Sequence, residues 1–283
     1  MKKVILTALA VCLLTACEKA SEQAETIQSK YVQFKLDGDF TFAITPFTRS
    51  LDADGKSMTD VWIFDYVGGV LVQQVHQVST DDGFGSPTLT LSPGAHHLYC
   101  ATSRGNTPVV DNDAATITFT RPSDTFWKDY EITVSPSTPA SVTVVCDRIV
   151  SKLKIVVTDA VPEGAATFNV TPHTWYYGFN YTTGAPVAAQ TDAVSTISIP
   201  SSVIGQTDTS ISIFTFSAAT AWNSNVAVNS KNGSGDVIGS ASVADVPFER
   251  NRITVVSGVL YADVLVAGLT LNTDWEDDYE MTF

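Results

Sequence analysis

Side chains able to do covalent or coordination chemistry are few and scattered in this 283-residue chain, which holds four cysteines and four histidines. His96 and His97 are adjacent, and strand neighbours point to opposite faces, a poor geometry for holding one metal ion. One exposed and one partly buried imidazole is the expectation there. His76 and His173 stand apart from them. Asp52-Ala53-Asp54-Gly55 begins like a calcium loop but lacks the later ligands and the distal glutamate, so it reads as a turn. The sequence has no GxSxG elbow, glycine-rich phosphate loop, HExxH or paired CxxC. No metal, cofactor or enzymatic activity is expected, although a pair of glycosidase carboxylates would leave no mark on a sequence.

The residue most clearly marked for chemistry is Cys17. Lys2 and Lys3 precede an apolar run from Val4 to Leu14, and Leu14-Thr15-Ala16-Cys17 follows. A run of about eleven residues is far short of the roughly 20 that span a bilayer as a helix, so it reads as a signal peptide. Its ending resembles the bacterial lipobox, in which small residues admit the peptidase and the cysteine thiol takes lipid. Cys17 would then be the mature N-terminus of an outer-membrane lipoprotein, held by several acyl chains where one gives only marginal binding. The plainer alternative is a secreted protein with a chance cysteine at the cleavage site.

Loss of residues 1–16 removes Lys2 and Lys3, leaving 14 basic against 30 acidic residues and a net charge of −16. That charge excludes nucleic acid and anionic headgroups as partners. Hydrophobic residues at 44% are ample for a core, while charged residues reach only 16%. With Val, Thr and Ser abundant, this is the profile of β-structure. Cys100 and Cys146 both fall on the apolar side of strand-like runs. They are either a disulfide, which an oxidising exported compartment permits, or two buried inert thiols.

Residues 18–30 are polar and lack periodicity, as a tether would. Val32, Phe34 and Leu36 then alternate with polar residues, and Phe40, Phe42 and Ile44 resume after Asp37-Gly38. Val61 to Tyr66, the pair Gly68-Gly69 and Val70 to Val72 form a hairpin signal. Thr88–Leu91, a Pro93-Gly94 turn and His97–Ala101 give another pair of strands. Further runs lie at Glu131–Val134, Ser141–Val145, Asp147–Val157, Ala166–Val170, Thr174–Tyr181, Thr196–Ile199, Ile211–Phe216, Asn225–Val228, Ile253–Leu260 and Val264–Leu271. Helical periodicity is missing, so the fold class is all-β and sandwich-like. The organisation expected is a signal peptide (1–16), a tether (17–30), an N-terminal sandwich (31–147) and a C-terminal one (148–283). The aromatic run Trp175-Tyr176-Tyr177-Gly178-Phe179-Asn180-Tyr181 suits either a sandwich core or a surface platform that stacks sugars, the core being favoured. The acidic end, from Asp274 to Glu280, guards a strand edge better than it binds cations.

Several segments together resemble the fimbrillin superfamily, the lipoprotein subunits and anchors of type V pili. They are the lipobox and tether, Phe47-Thr48-Arg49-Ser50-Leu51 closing the first strand, Val61–Tyr66 before a glycine turn, and Leu91-Ser92-Pro93-Gly94. Arg148-Ile149-Val150-Ser151-Lys152-Leu153, Phe248–Val255 with its Arg250-Asn251 pair, and the last segment with Trp275 complete the order. The resemblance implies two tandem transthyretin-like Greek-key sandwiches and a structural subunit or anchor assembled by β-strand exchange, supporting adhesion. In stalk subunits a protease cuts after the arginine, here between Arg49 and Ser50, and detaches a strand carrying Val32, Phe34 and Leu36 or Phe40, Phe42 and Ile44. Anchor members keep that strand, and Arg49 would then be an uncut loop residue. The partners implied are other fimbrial subunits, outer-membrane lipid through Cys17 and a host or bacterial surface ligand. A glycan-binding surface lipoprotein using the aromatic platform is the alternative.

Overall fold

The computed structural model describes residues 30–38, 58–138, 141–261 and 270–272. The first half runs β1 (Lys30–Gly38), β2 (Asp60–Val67), β3 (Val70–Val78), β4 (Thr88–Leu91), β5 (Gly94–Ser103), β6 (Val109–Asp111), β7 (Thr116–Thr118), β8 (Thr125–Val134) and β9 (Ser141–Arg148). The second half begins with β10 (Val150–Val157), β11 (Ala165–Pro172), β12 (Thr174–Asn180), β13 (Pro186–Thr191) and β14 (Ser195–Ser198). It continues with β15 (Thr209–Phe216), β16 (Trp222–Asn232), β17 (Val237–Phe248), β18 (Ile253–Gly258) and β19 (Thr270–Asn272). The fold is all-β, as the alternation of apolar residues requires.

One sheet of seven strands has the order β3-β2-β5-β8-β9-β1-β4. Only two residue pairs, Phe126–Arg148 and Trp127–Asp147, join β8 to β9. There the sheet folds over. Four strands (β3-β2-β5-β8) then face three (β9-β1-β4) across a core of Val61, Ile63, Leu98 and Cys100 from one layer and Leu89, Leu91, Val144 and Cys146 from the other. This is the first sandwich. The second packs β15-β10-β18-β19 on β14-β11-β16-β17. Its core holds Leu153, Ile155 and Ile213 from the first of those sheets and Phe168, Val170 and Val228 from the other.

A fourth sheet, β13-β12-β7-β6, is shared: the β6–β7 hairpin comes from the first half and pairs with β12 through Thr116 to Thr118. It covers the outer face of β2 and β5. Trp62, Phe64 and Ala101 are buried there with Ile117, Phe179, Tyr181 and Phe216. β2 is therefore buried on both faces, and Val61-Trp62-Ile63-Phe64 reads as a continuous apolar run rather than an alternating one. The turn after β2 needs glycine, because Gly68 and Gly69 sit at φ of 58° and 82°, the left-handed values of a two-residue primed turn.

Candidate strand-exchange site

β1 is the middle strand of the three-stranded layer. Lys30 to Gln33 pair antiparallel with Leu91 to Thr88, and Gln33 to Gly38 pair parallel with Ser141 to Cys146. Only Gln33 belongs to both registers, so β1 joins two offset strands end to end. Val32 stands opposite Leu89, Phe34 opposite Val142 and Leu36 opposite Val144. Among the described residues β4 has no sheet partner other than β1. Without β1 the four residues of β4 would lose their ladder, and β9 would present a free edge. Leu89, Leu91, Val144 and Cys146, none more than 1% exposed, flank that slot. An unpaired edge beside uncovered apolar side chains is the surface that an added strand satisfies. Phe40, Phe42, Ile44, Arg49, Ser50 and Cys17 lie outside the described residues.

Cys100 and Cys146 lie buried in the core of the first sandwich and are not joined to each other by a disulfide in this structure. Burial, and then the nearby Asp129 charge, pushes the Cys100 thiol up to about 12 from 9.0. At neutral pH it is protonated and inert.

Asp65, His96 and Ser92 form a trio whose composition invites comparison with acyl-transfer triads. His96 Nδ1 lies 2.7 Å from Asp65 Oδ1. Its Nε2 is 2.8 Å from the Ser92 carbonyl and 3.3 Å from Ser92 Oγ. The carbonyl is nearer to Nε2 than the hydroxyl is, so the backbone engages this ring nitrogen and the trio lacks the close nucleophile–base contact of a triad. The trio instead clamps the Pro93-Gly94 turn to β2 from within. His97 faces the other way and pairs with Asp129, as the alternation of neighbours requires. Among the described residues no cluster of three or more His, Cys, Asp or Glu side chains is arranged to hold a metal ion.

The aromatic run lies in cores, which removes the sugar-stacking platform. Trp175 packs in the second sandwich, and Phe179 and Tyr181 under the shared sheet, with Trp175, Phe179 and Tyr181 at most 1% exposed. Phe64 stacks on Tyr181 at 3.7 Å between ring centroids, and the Trp127 indole N–H donates to the Tyr181 carbonyl at 2.7 Å. Burial, followed by the hydrogen bond with Tyr66, raises the Tyr181 phenol above its ordinary value.

A second group of residues escaped the sequence reading. Arg148 donates from Nε and Nη2 to the Asp124 carboxylate at 2.7 and 3.0 Å, and from Nη1 to Asn251 Oδ1 at 3.0 Å. These contacts tie the end of the first sandwich to the turn before β18. Arg148 and Asn251 each stood out as part of a motif, but nothing local in the sequence points to Asp124 or to the meeting of the three.

Several solved structures share this architecture. A DUF1812 protein of Bacteroides thetaiotaomicron, named provisionally for polysaccharide binding, is 8% identical, with 87% of this chain and 96% of that chain covered and a TM-score of 0.52. The fimbrial anchor protein Mfa2 of Porphyromonas gingivalis is 6% identical over 87% of this chain and 98% of that one, with a TM-score of 0.49. A fimbrial assembly protein of Parabacteroides distasonis is 12% identical, with 82% and 91% covered and a TM-score of 0.46. At such identities the likeness is one of fold, and the fold is the all-β sandwich implied by the fimbrillin resemblance. No curated protein matches the sequence. Residues 99–283 match the model of a family of unknown function, DUF6562, and the chain belongs to that family.

Proposed function

We propose that this chain is a structural, non-enzymatic subunit or anchor of a surface fimbria, exported as a lipoprotein through Cys17 and joined to its neighbours by exchange of the β1 strand. The observation that carries the reading is the place of β1: it is central to its layer, and among the described residues β4 has no other sheet partner. A terminal strand so placed is replaceable, because a neighbour's strand restores both the ladder and the apolar cover. The fold shared with a DUF1812 protein agrees with this reading. The other partners would be outer-membrane lipid and a surface ligand.

N-terminal sequencing of protein recovered from the cell surface tests it. A chain beginning at Ser50 marks a cleaved stalk subunit, and Arg49→Ala then blocks polymerisation. A chain beginning at lipidated Cys17 marks an anchor, and Arg49→Ala is then silent. A chain beginning elsewhere, with no lipid and no polymer, overturns the proposal. Thiol labelling gives an independent readout. Cys146, opposite Gly38 in the register, is protected while β1 is seated and becomes reactive when the slot is empty.

A further inference from the structure

The outer face of the β14-β11-β16-β17 sheet carries an open pocket of about 320 Å³, at the low end of the roughly 300–1,000 Å³ typical of small-molecule sites. Three elements supply its polar groups: Thr171 from the end of β11, Asn225 from β16 and Ser242 from β17, with His173 and Asp192 forming one wall. A β-bulge opens it. Ser224 pairs with Val246 but Val226 pairs with Val243, so Ala244 and Asp245 together oppose Asn225. Bulges of this kind re-aim side chains beside functional sites. Asp192, in the wall, and Asp245, in the bulge but outside the lining, have left-handed φ values of 54° and 55°. Each is held there by a hydrogen bond: the Asp192 N–H donates to the His173 carbonyl at 3.1 Å, and the Asp245 N–H to Asn225 Oδ1 at 3.0 Å. His173 Nδ1 lies 3.1 Å from Asp192 Oδ1, which sets the imidazole against the wall.

The lining limits what the pocket takes. It contains no Lys or Arg, and the chain carries a net charge of −14, so phosphate, sulfate and carboxylate ligands are disfavoured. Asp192 is its only carboxylate, too few for a hard cation, which needs several oxygen ligands. What remains is a neutral ligand rich in hydroxyls. Carboxylate, amide, imidazole and hydroxyl groups both accept from and donate to such a ligand. Val243 and Ala244 give an apolar floor for the C–H face of a ring.

We propose that this pocket binds a single neutral sugar residue, with Asp192 and Asn225 as its principal hydrogen-bonding groups. The pocket belongs to the second sandwich and β1 to the first, so either reading stands if the other fails. The test is NMR titration of the isotope-labelled full chain with the methyl glycosides of galactose, mannose, fucose and N-acetylglucosamine. At least one is expected to bind with a Kd of about 1–10 mM, shifting the amides of Asn225, Ala227 and Val243. Asp192→Ala weakens that binding about tenfold or more, and Ser242→Phe, which fills the pocket from an exposed strand position, abolishes it. Absence of shifts at those amides up to about 50 mM of every glycoside, or binding that survives both variants, overturns the proposal.

Discussion

Arg148 works through shape as much as charge. Its fork meets both oxygens of Asp124, whose side chain is 1% exposed, while the guanidinium lies 4.8 Å above the Phe126 ring. Lysine brings the same charge but neither the planar fork nor the stacking. Arg148→Lys is therefore expected to cost about 2 kcal/mol, and Arg148→Ala, which leaves Asp124 without its guanidinium, about 3 kcal/mol, both read from urea unfolding. Asn251, the third partner, sits at φ of 59°, a conformation that asparagine tolerates better than most residues. The Arg250-Asn251 pair is visible in the sequence. Its meeting with Arg148, 103 positions away, is a product of tertiary packing and leaves no local trace.

At the scale of elements, β12 and β7 bring the backbones of the two halves into direct pairing. A Cβ on Gly178 would fall 2.5 Å from the Ile117 carbonyl oxygen and 2.8 Å from Thr118 Cγ2. Backbone on that side cannot yield without breaking the ladder. Gly178→Ala is expected to destabilise by about 2–3 kcal/mol in thermal or urea unfolding, whereas Gly233→Ala, with open space around it, costs far less. The strands rich in β-branched and aromatic residues were legible. β4, β10 and β15 fall where the alternation places them and β2 where its continuous apolar run does, because their burial is strong enough to shape the sequence. β6 and β7 were not, since three residues cannot establish a period, and most of the apolar residues clustered with Ile117 come from other strands, among them β2, β12 and β15. β13 and β17 escaped for another reason: Ala, Ser and Gly on mostly exposed strands carry little contrast between faces. The pocket on β16 and β17 was hidden with them, since it depends on a bulge and two left-handed aspartates.

For the whole molecule, the buried acids set an alkaline limit. The Cys100 thiol is raised to about 12 from 9.0, and the Tyr181 phenol is raised from 10.0, burial being the main cause in each. A weak acid that ionises later in the folded state than in the unfolded one favours folding below its unfolded value. That stability is lost as pH rises toward the folded value. Between about pH 9 and 12 the slope is up to about 1.4 kcal/mol per pH unit for each such group. The urea midpoint is expected to be flat through pH 8 and to fall from about pH 9.5, with Cys100→Ala flattening the first part of the decline.

The parallel pairing of β1 with β9 has a mechanical side. β9 leads through Ile149 directly into β10 and the second sandwich, while the chain enters β1 at Lys30, the opposite end of this parallel pair. A load between the two ends of the protein therefore drags these neighbours lengthwise in opposing senses. Six registered positions would have to slip in concert instead of peeling apart one by one, so the pair meets such a load in shear.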